Sequence, residues 1–152
     1  MTVSDSNPKP GAAILLVDDN SHGLVARRSV LEALGYRITP ANSAAEALGW
    51  FEKDQYDLVI TDYKMPEMDG IQLIARIRER RPATGIILLS GFVDALGFDE
   101  KSTGADIVIQ KSANEINLLV RSVQRLLNRK AQRIPPRAQP ARGPSKAKST
   151  SA

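Results

Sequence analysis

The sequence predicts an α/β fold: five parallel strands in the order 2-1-3-4-5, doubly wound, with helices on both faces. Three observations carry this. Short apolar runs recur at 12–17, 58–60, 85–89 and 107–109, as expected of strands buried on both faces. Each is followed by a stretch with helical periodicity, and strand-then-helix alternation implies a parallel sheet. The one weak strand, Tyr36 to Pro40, carries a proline that suits an edge.

The elements follow in order. Met1 to Gly11 is polar and reads as a disordered leader without a secretory signal. The first strand, Ala12 to Val17, ends in Asp18-Asp19-Asn20. A helix is expected from Ser21 to Leu34, closed by Gly35. After the weak second strand, Ser43-Ala44-Ala45-Glu46 forms a capping box, and Ala47, Leu48 and Phe51 share one helical face. The third strand, Tyr56 to Asp62, runs through Tyr63-Lys64-Met65 into Pro66, and Asp69-Gly70 starts a helix that reaches Arg80. Its Leu73, Ile74 and Ile77 point inward. The fourth strand, Gly85 to Leu89, precedes Ser90-Gly91, and a helix is expected from Phe92 to Thr103 although Gly97 weakens it. The fifth strand, Asp106 to Gln110, is followed by Lys111. A second capping box, Ser112-Ala113-Asn114-Glu115, then opens a helix with Ile116, Leu119, Val120, Val123, Leu126 and Leu127 as its inward stripe.

Composition narrows the functional classes. A chain of 152 residues suits one domain, and no apolar run is long enough to span a membrane. Cysteine is absent, which excludes disulfides and thiol chemistry and agrees with a cytoplasmic setting. The net charge of +4 is unevenly placed: seven of the 21 Lys/Arg lie between Arg129 and Ala152, where there is no Asp or Glu. Residues 1–128 therefore hold 14 basic and 17 acidic residues, a net of −3. The expected organisation is a leader at 1–11, a domain at 12–130 and a disordered basic tail at 131–152. Without interleaved aromatics the tail reads as a solubilising end in preference to a nucleic-acid tether.

Four of the five strands end in a chemically pointed residue: Asp18 and Asp19 after the first, Asp62 after the third, Ser90 after the fourth and Lys111 after the fifth. The proposed strand order gathers them on one rim, where open α/β sheets bind ligands. Three close carboxylates resist ionisation together unless a cation offsets them. A hard divalent ion with oxygen ligands meets that need, and Mg²⁺ is the expected one because it is typically held by one or two carboxylates beside a phosphoryl group. Lys111 adds a positive charge, the Ser90 hydroxyl can donate to a phosphoryl oxygen, and the central Asp62 is placed as nucleophile. His22, alone in its residue type, reads as an exposed first-turn residue, and Trp50 and Phe51 as helix packing.

The set Leu16-Val17-Asp18-Asp19-Asn20, Asp62-x-x-Met65-Pro66-x-Met68-Asp69-Gly70, Ser90 and Lys111 resembles the receiver domain of two-component response regulators. The resemblance implies a flavodoxin-like (βα)5 fold and a phosphoryl acceptor at Asp62, charged by a histidine kinase or a histidine phosphotransfer protein. It implies Mg²⁺ held by Asp18, Asp19, Asp62 and the backbone carbonyl of Lys64, with Ser90 and Lys111 turned to the phosphoryl group. The family usually has an aromatic residue where this chain has Val108, and a proline where it has Ser112. With no output domain after the fifth helix, the expectation is a stand-alone regulator that signals through a phosphorylation-dependent protein partner. It is not expected to be an enzyme beyond its own phosphorylation and dephosphorylation. Within the resemblance, Lys64 and Phe92 stand where residues tune water access, and Phe92 is expected to slow dephosphorylation. Two other classes compete. A Mg²⁺-dependent phosphatase with an aspartate nucleophile would place that residue on the first strand in Asp-x-Asp, which this chain lacks. A nucleic-acid-binding protein would act through the tail alone.

Overall fold

The computed structural model describes residues 11–91 and 97–133, with side chains as far as residue 129. Five strands, β1 (Ala13–Val17), β2 (Arg37–Ala41), β3 (Leu58–Asp62), β4 (Gly85–Ser90) and β5 (Ile107–Gln110), form one parallel sheet in the order β2-β1-β3-β4-β5. The helices are α1 (Ser21–Ala33), α2 (Ala44–Lys53), α3 (Gly70–Arg80), α4 (Glu100–Thr103) and α5 (Glu115–Arg133). Alternation along each central strand divides the core in two. Leu15, Val17, Val59, Ile86 and Leu88 face α2 and α3, with Ala47, Phe51, Leu73, Ile74 and Ile77. Ile14, Leu16, Leu58, Ile60, Ile87 and Leu89 face α1 and α5, with Leu31, Leu119, Val123, Leu126 and Leu127. Burial on both faces is why these strands are unbroken apolar runs.

Pro40 sits in β2 opposite Leu16. Arg37 donates its N–H to Ala12 O, and strand geometry alternates donors, so position 40 would aim its N–H away from β1. The edge placement thus removes the usual penalty for a proline in a sheet.

Local chemistry fixes the helix ends. Gly35, at φ 98°, follows α1 and donates to Glu32 O at 2.9 Å. Ser43 accepts from Glu46 N–H at 3.0 Å, while the Glu46 carboxylate reaches back to Asn42 N–H at 2.8 Å, one residue beyond the position a closed capping box requires. Asp69 and Gln72 make the reciprocal box that the sequence reading missed, at 2.9 Å in both directions.

Two helix expectations need correction. The described part of 92–103 is helical only from Glu100: Asp99 is extended and caps α4 by accepting from Ser102 N–H at 2.7 Å. A good cap starts a helix there, and residues 92–96 of the expected helix lie outside the described residues. Ser112 likewise does not box with Glu115. Its hydroxyl accepts from Asn114 N–H at 3.2 Å, α5 begins at Glu115, two residues later than a cap at Ser112 would start it, and the Glu115 carboxylate is held by Arg27. Within α5, Ile116 and Val120 are half-buried while Leu119, Val123, Leu126 and Leu127 are buried. Phe51 is buried as expected, stacked on Tyr56 with Arg81 over its ring, but Trp50 is exposed and meets only Lys53 over its ring among the described aromatic contacts.

Candidate functional site

The rim is built by the strands' carboxyl ends. β1 delivers Asp18 buried and Asp19 exposed, and β3 ends on Asp62, which is 4% exposed. One oxygen from each of the three carboxylates lies within 4.8 Å of the other two. β3 pairs with β4 as far as Asp62 opposite Leu89, and Tyr63 N–H continues to Leu89 O at 2.8 Å, so Asp62 is held by a backbone bonded on both sides of it. β4 ends on the fully buried Ser90, whose carbonyl accepts from Lys111 N–H at 2.7 Å. That bond sets Lys111 beside Asp62, and its Nζ lies 2.5 Å from Asp62 Oδ1. Asp18, Asp19, Asp62, Ser90 and Lys111 therefore share one rim. Ser90 Oγ donates to Gly91 O at 3.5 Å.

The loop from β3 to α3 is held tightly. Gly70 donates to Tyr63 O at 2.7 Å, and a Cβ at Gly70 would lie 2.3 Å from Asp62 O. Only a residue without a side chain lets α3 start this close to the strand's last peptide. Lys64 is exposed on this loop, and Glu67 turns it with φ 72°, a conformation rarely adopted outside glycine. His22 is exposed on the first turn of α1, as expected. Val108 is half-buried on β5, while Phe92 lies outside the described residues.

The electrostatics are those of a site with excess negative charge. Burial raises the Asp62 carboxyl above the ordinary range. Lys111 opposes this through its hydrogen bond and charge, Asp18 adds to it, and Arg27 opposes it. Three carboxylates packed this closely, one of them fully ionisable only at a cost, are a donor set that fits a hard divalent cation.

Sequence reasoning missed Arg27 and Glu115. Arg27 is 7% exposed on the inner face of α1; it donates to Asp18 Oδ2 through one terminal nitrogen and to Glu115 Oε2 through Nε at 2.5 Å. Burial works against its charged form, but Glu115 and Asp18 outweigh this and hold its pKa above the ordinary value. The signal was present: Leu24, Arg27 and Leu31 fall on one helical stripe, and a charge there requires a buried counter-charge. Reading Glu115 as a cap concealed that partner.

A family model for the response regulator receiver domain matches residues 14–123. The chain belongs to this family. The receiver resembles solved structures throughout: the response regulator protein TrrA from Thermotoga maritima, in complex with Mg²⁺ and BeF, is 34% identical and covers 76% of this chain and 98% of its own, with TM-score 0.69. A receiver domain protein from Clostridium thermocellum is 29% identical, over 80% of this chain and 98% of its own, with TM-score 0.71. Among curated proteins, the virulence sensor protein BvgS of Bordetella pertussis is 31% identical over 90% of this chain and 12% of its own length. The transcriptional regulatory protein GlrR of Escherichia coli is 40% identical over 52% of this chain and 18% of its own. The receiver thus corresponds to a small part of these longer relatives. No described helix is long and apolar enough to cross a membrane.

Proposed function

We propose that this receiver accepts a phosphoryl group on Asp62 from a phosphohistidine and passes the signal on by binding a protein partner in its phosphorylated form. The observation that carries the reading is Asp62 at the centre of the rim, within 4.8 Å of two further carboxylates and 2.5 Å from the Lys111 ammonium. An Asp62 oxygen attacks phosphorus in line with the departing imidazole. The P–O bond forms as the P–N bond breaks, and the histidine leaves with a proton while the acyl phosphate stays on Asp62. Lys111 exchanges Asp62 for a phosphoryl oxygen, and the Ser90 hydroxyl turns from Gly91 to donate to another. Asp18, Asp19, Asp62 and the Lys64 carbonyl would hold Mg²⁺, which supplies charge neutralisation for the phosphoryl oxygens when bound.

Histidine kinases and sensor proteins among the relatives support a kinase or a phosphotransfer protein as donor. Mg²⁺ with BeF in the TrrA structure supports the metal. The chemistry stops at self-phosphorylation and its hydrolysis. A substrate-turning phosphatase is disfavoured because the central acid ends β3 and the acids after β1 are adjacent.

The test is intact mass after incubation with acetyl phosphate and Mg²⁺. A gain of one phosphoryl group, lost in Asp62→Asn and without metal, is expected. A folded protein that gains none refutes the reading.

A further inference from the structure

The buried chain Asp18–Arg27–Glu115 ties the acidic rim to the first residue of α5, and neither Arg27 nor Glu115 is among the residues that touch the phosphoryl group in the reading above. Asp18 has both oxygens engaged: Oδ1 accepts from Asn20 N–H at 2.9 Å and Oδ2 from Arg27. Arg27 in turn spends Nε on Glu115, 88 positions away. A second observation shows that the arrangement is built. Gly23 is a poor residue for the first turn of a helix, yet a Cβ there would lie 2.8 Å from Asp18 Oδ2 and 3.0 Å from the Arg27 terminal nitrogen. The missing side chain at position 23 is the space through which the guanidinium reaches Asp18.

A guanidinium stays charged under all ordinary conditions. It therefore stands as a fixed cation behind the carboxylates, doing part of the work that an incoming metal ion would do. We propose that Arg27 is a positioning residue that lowers the receiver's divalent-cation affinity, and that Glu115, by sharing the guanidinium, sets how much of that charge the rim feels. This rests on the cation site of the proposed function. The cation must share Asp18 with Arg27, so binding weakens the hold of Arg27 on Asp18 and shifts it towards Glu115 at the head of α5. Metal occupancy and the anchoring of α5 become linked through one side chain.

The two neighbours act with opposite sign. Removing Arg27 removes a repulsive charge from the cation's surroundings, whereas removing the Glu115 charge releases more of the guanidinium's field onto the rim. Calorimetric titration of the full chain with Mg²⁺ alone, without phosphoryl donor, reads this directly. Arg27→Met keeps the apolar stem and should bind Mg²⁺ about tenfold more tightly, which is about 1.4 kcal/mol. Glu115→Gln should bind it about threefold more weakly, a partial effect because the charge removed lies on the far side of Arg27. The double variant, which removes one charge of each sign, should fall within about threefold of wild type. Thermal melts of each variant establish that it is folded, and Glu115→Gln keeps the test open if Arg27→Met is not. A role in packing alone would destabilise both single variants without opposite shifts in affinity. Unchanged or weaker Mg²⁺ binding in folded Arg27→Met, or unchanged or tighter binding in Glu115→Gln, overturns the inference and leaves phosphorylation of Asp62 standing. A wild-type chain that binds no Mg²⁺ refutes both.

Discussion

Two glycine-to-alanine substitutions, one in each of two helices, should move stability in opposite directions. Gly70 is the first residue of α3 and Gly49 lies exposed within α2. Neither has positive φ, so alanine meets no conformational barrier at either and the space around each decides. At Gly70 a new Cβ would stand 2.3 Å from Asp62 O, 2.9 Å from Leu88 Cδ1 and 3.0 Å from Tyr63 Cα. Two of these neighbours are backbone and cannot rotate away, so α3 or the end of β3 must recede by roughly 1 Å to restore ordinary contact. Overpacking costs about 1–3 kcal/mol, and backbone clashes put Gly70→Ala towards the upper end. At Gly49 nothing lies within 4 Å of the added Cβ. Relief from glycine's conformational entropy should stabilise Gly49→Ala by about 0.5–1 kcal/mol. For a domain this size 1 kcal/mol moves Tm by about 4 °C, so thermal unfolding should show a fall of about 10 °C for Gly70→Ala and a rise of about 2–4 °C for Gly49→Ala. The displaced group is the peptide of Asp62, the proposed acceptor, so Gly70→Ala should also take up phosphate more slowly from acetyl phosphate. A Gly70→Ala protein that melts within 2 °C of wild type, by the same scale of about 4 °C per kcal/mol, would refute the crowding argument.

Three further outcomes follow from the site and its supports. Because burial raises the Asp62 carboxyl, the stability linked to its proton is fully present below the unfolded pKa and is lost as pH rises through the folded one. Metal-free Asp62→Asn should therefore be the more stable protein at neutral pH, with the gap closing as pH falls through the acid range; urea titrations at several pH values that give a constant gap would contradict this. Mg²⁺ at ten times its dissociation constant should stabilise the wild-type chain by about 1.4 kcal/mol. That gain should vanish in Asp19→Asn and Asp62→Asn, and a variant that keeps it would take its residue out of the cation site. Asp106 accepts from Ile86 N–H at 2.8 Å and from Arg78 at 3.0 Å. Asp106→Ala should cost about 1–3 kcal/mol in denaturant, and a loss below about 0.5 kcal/mol would show that its bonds to Ile86 and Arg78 contribute little to stability.

Much of this fold could be read because burial imposes pattern. Strands covered on both faces must be apolar throughout, which is how β1, β3, β4 and β5 announced their order and left Pro40 for the edge. The acidic rim was readable for the same reason: once a strand is located, the residue just past its end has one place to go. What escaped notice was decided between elements. Glu115 has the spacing of a cap, and only the approach of α1 shows that its carboxylate serves Arg27 instead. Asp99 looked like part of a continuous helix because local propensity does not reveal where a residue will turn its side chain to a cap. Arg27 alone broke the apolar stripe of α1, and a polar residue in a stripe is a statement about a partner that sequence spacing cannot name.

The sheet has two borders, and Pro40 makes one of them a poor place for another strand. Its ring occupies the mid-strand position from which an N–H would otherwise point outward from β2. A chain laid along that border would find no donor there and a ring in its path. The border formed by β2 is thereby guarded against edge-to-edge association, with the guard placed where the receiver's own ladder loses nothing.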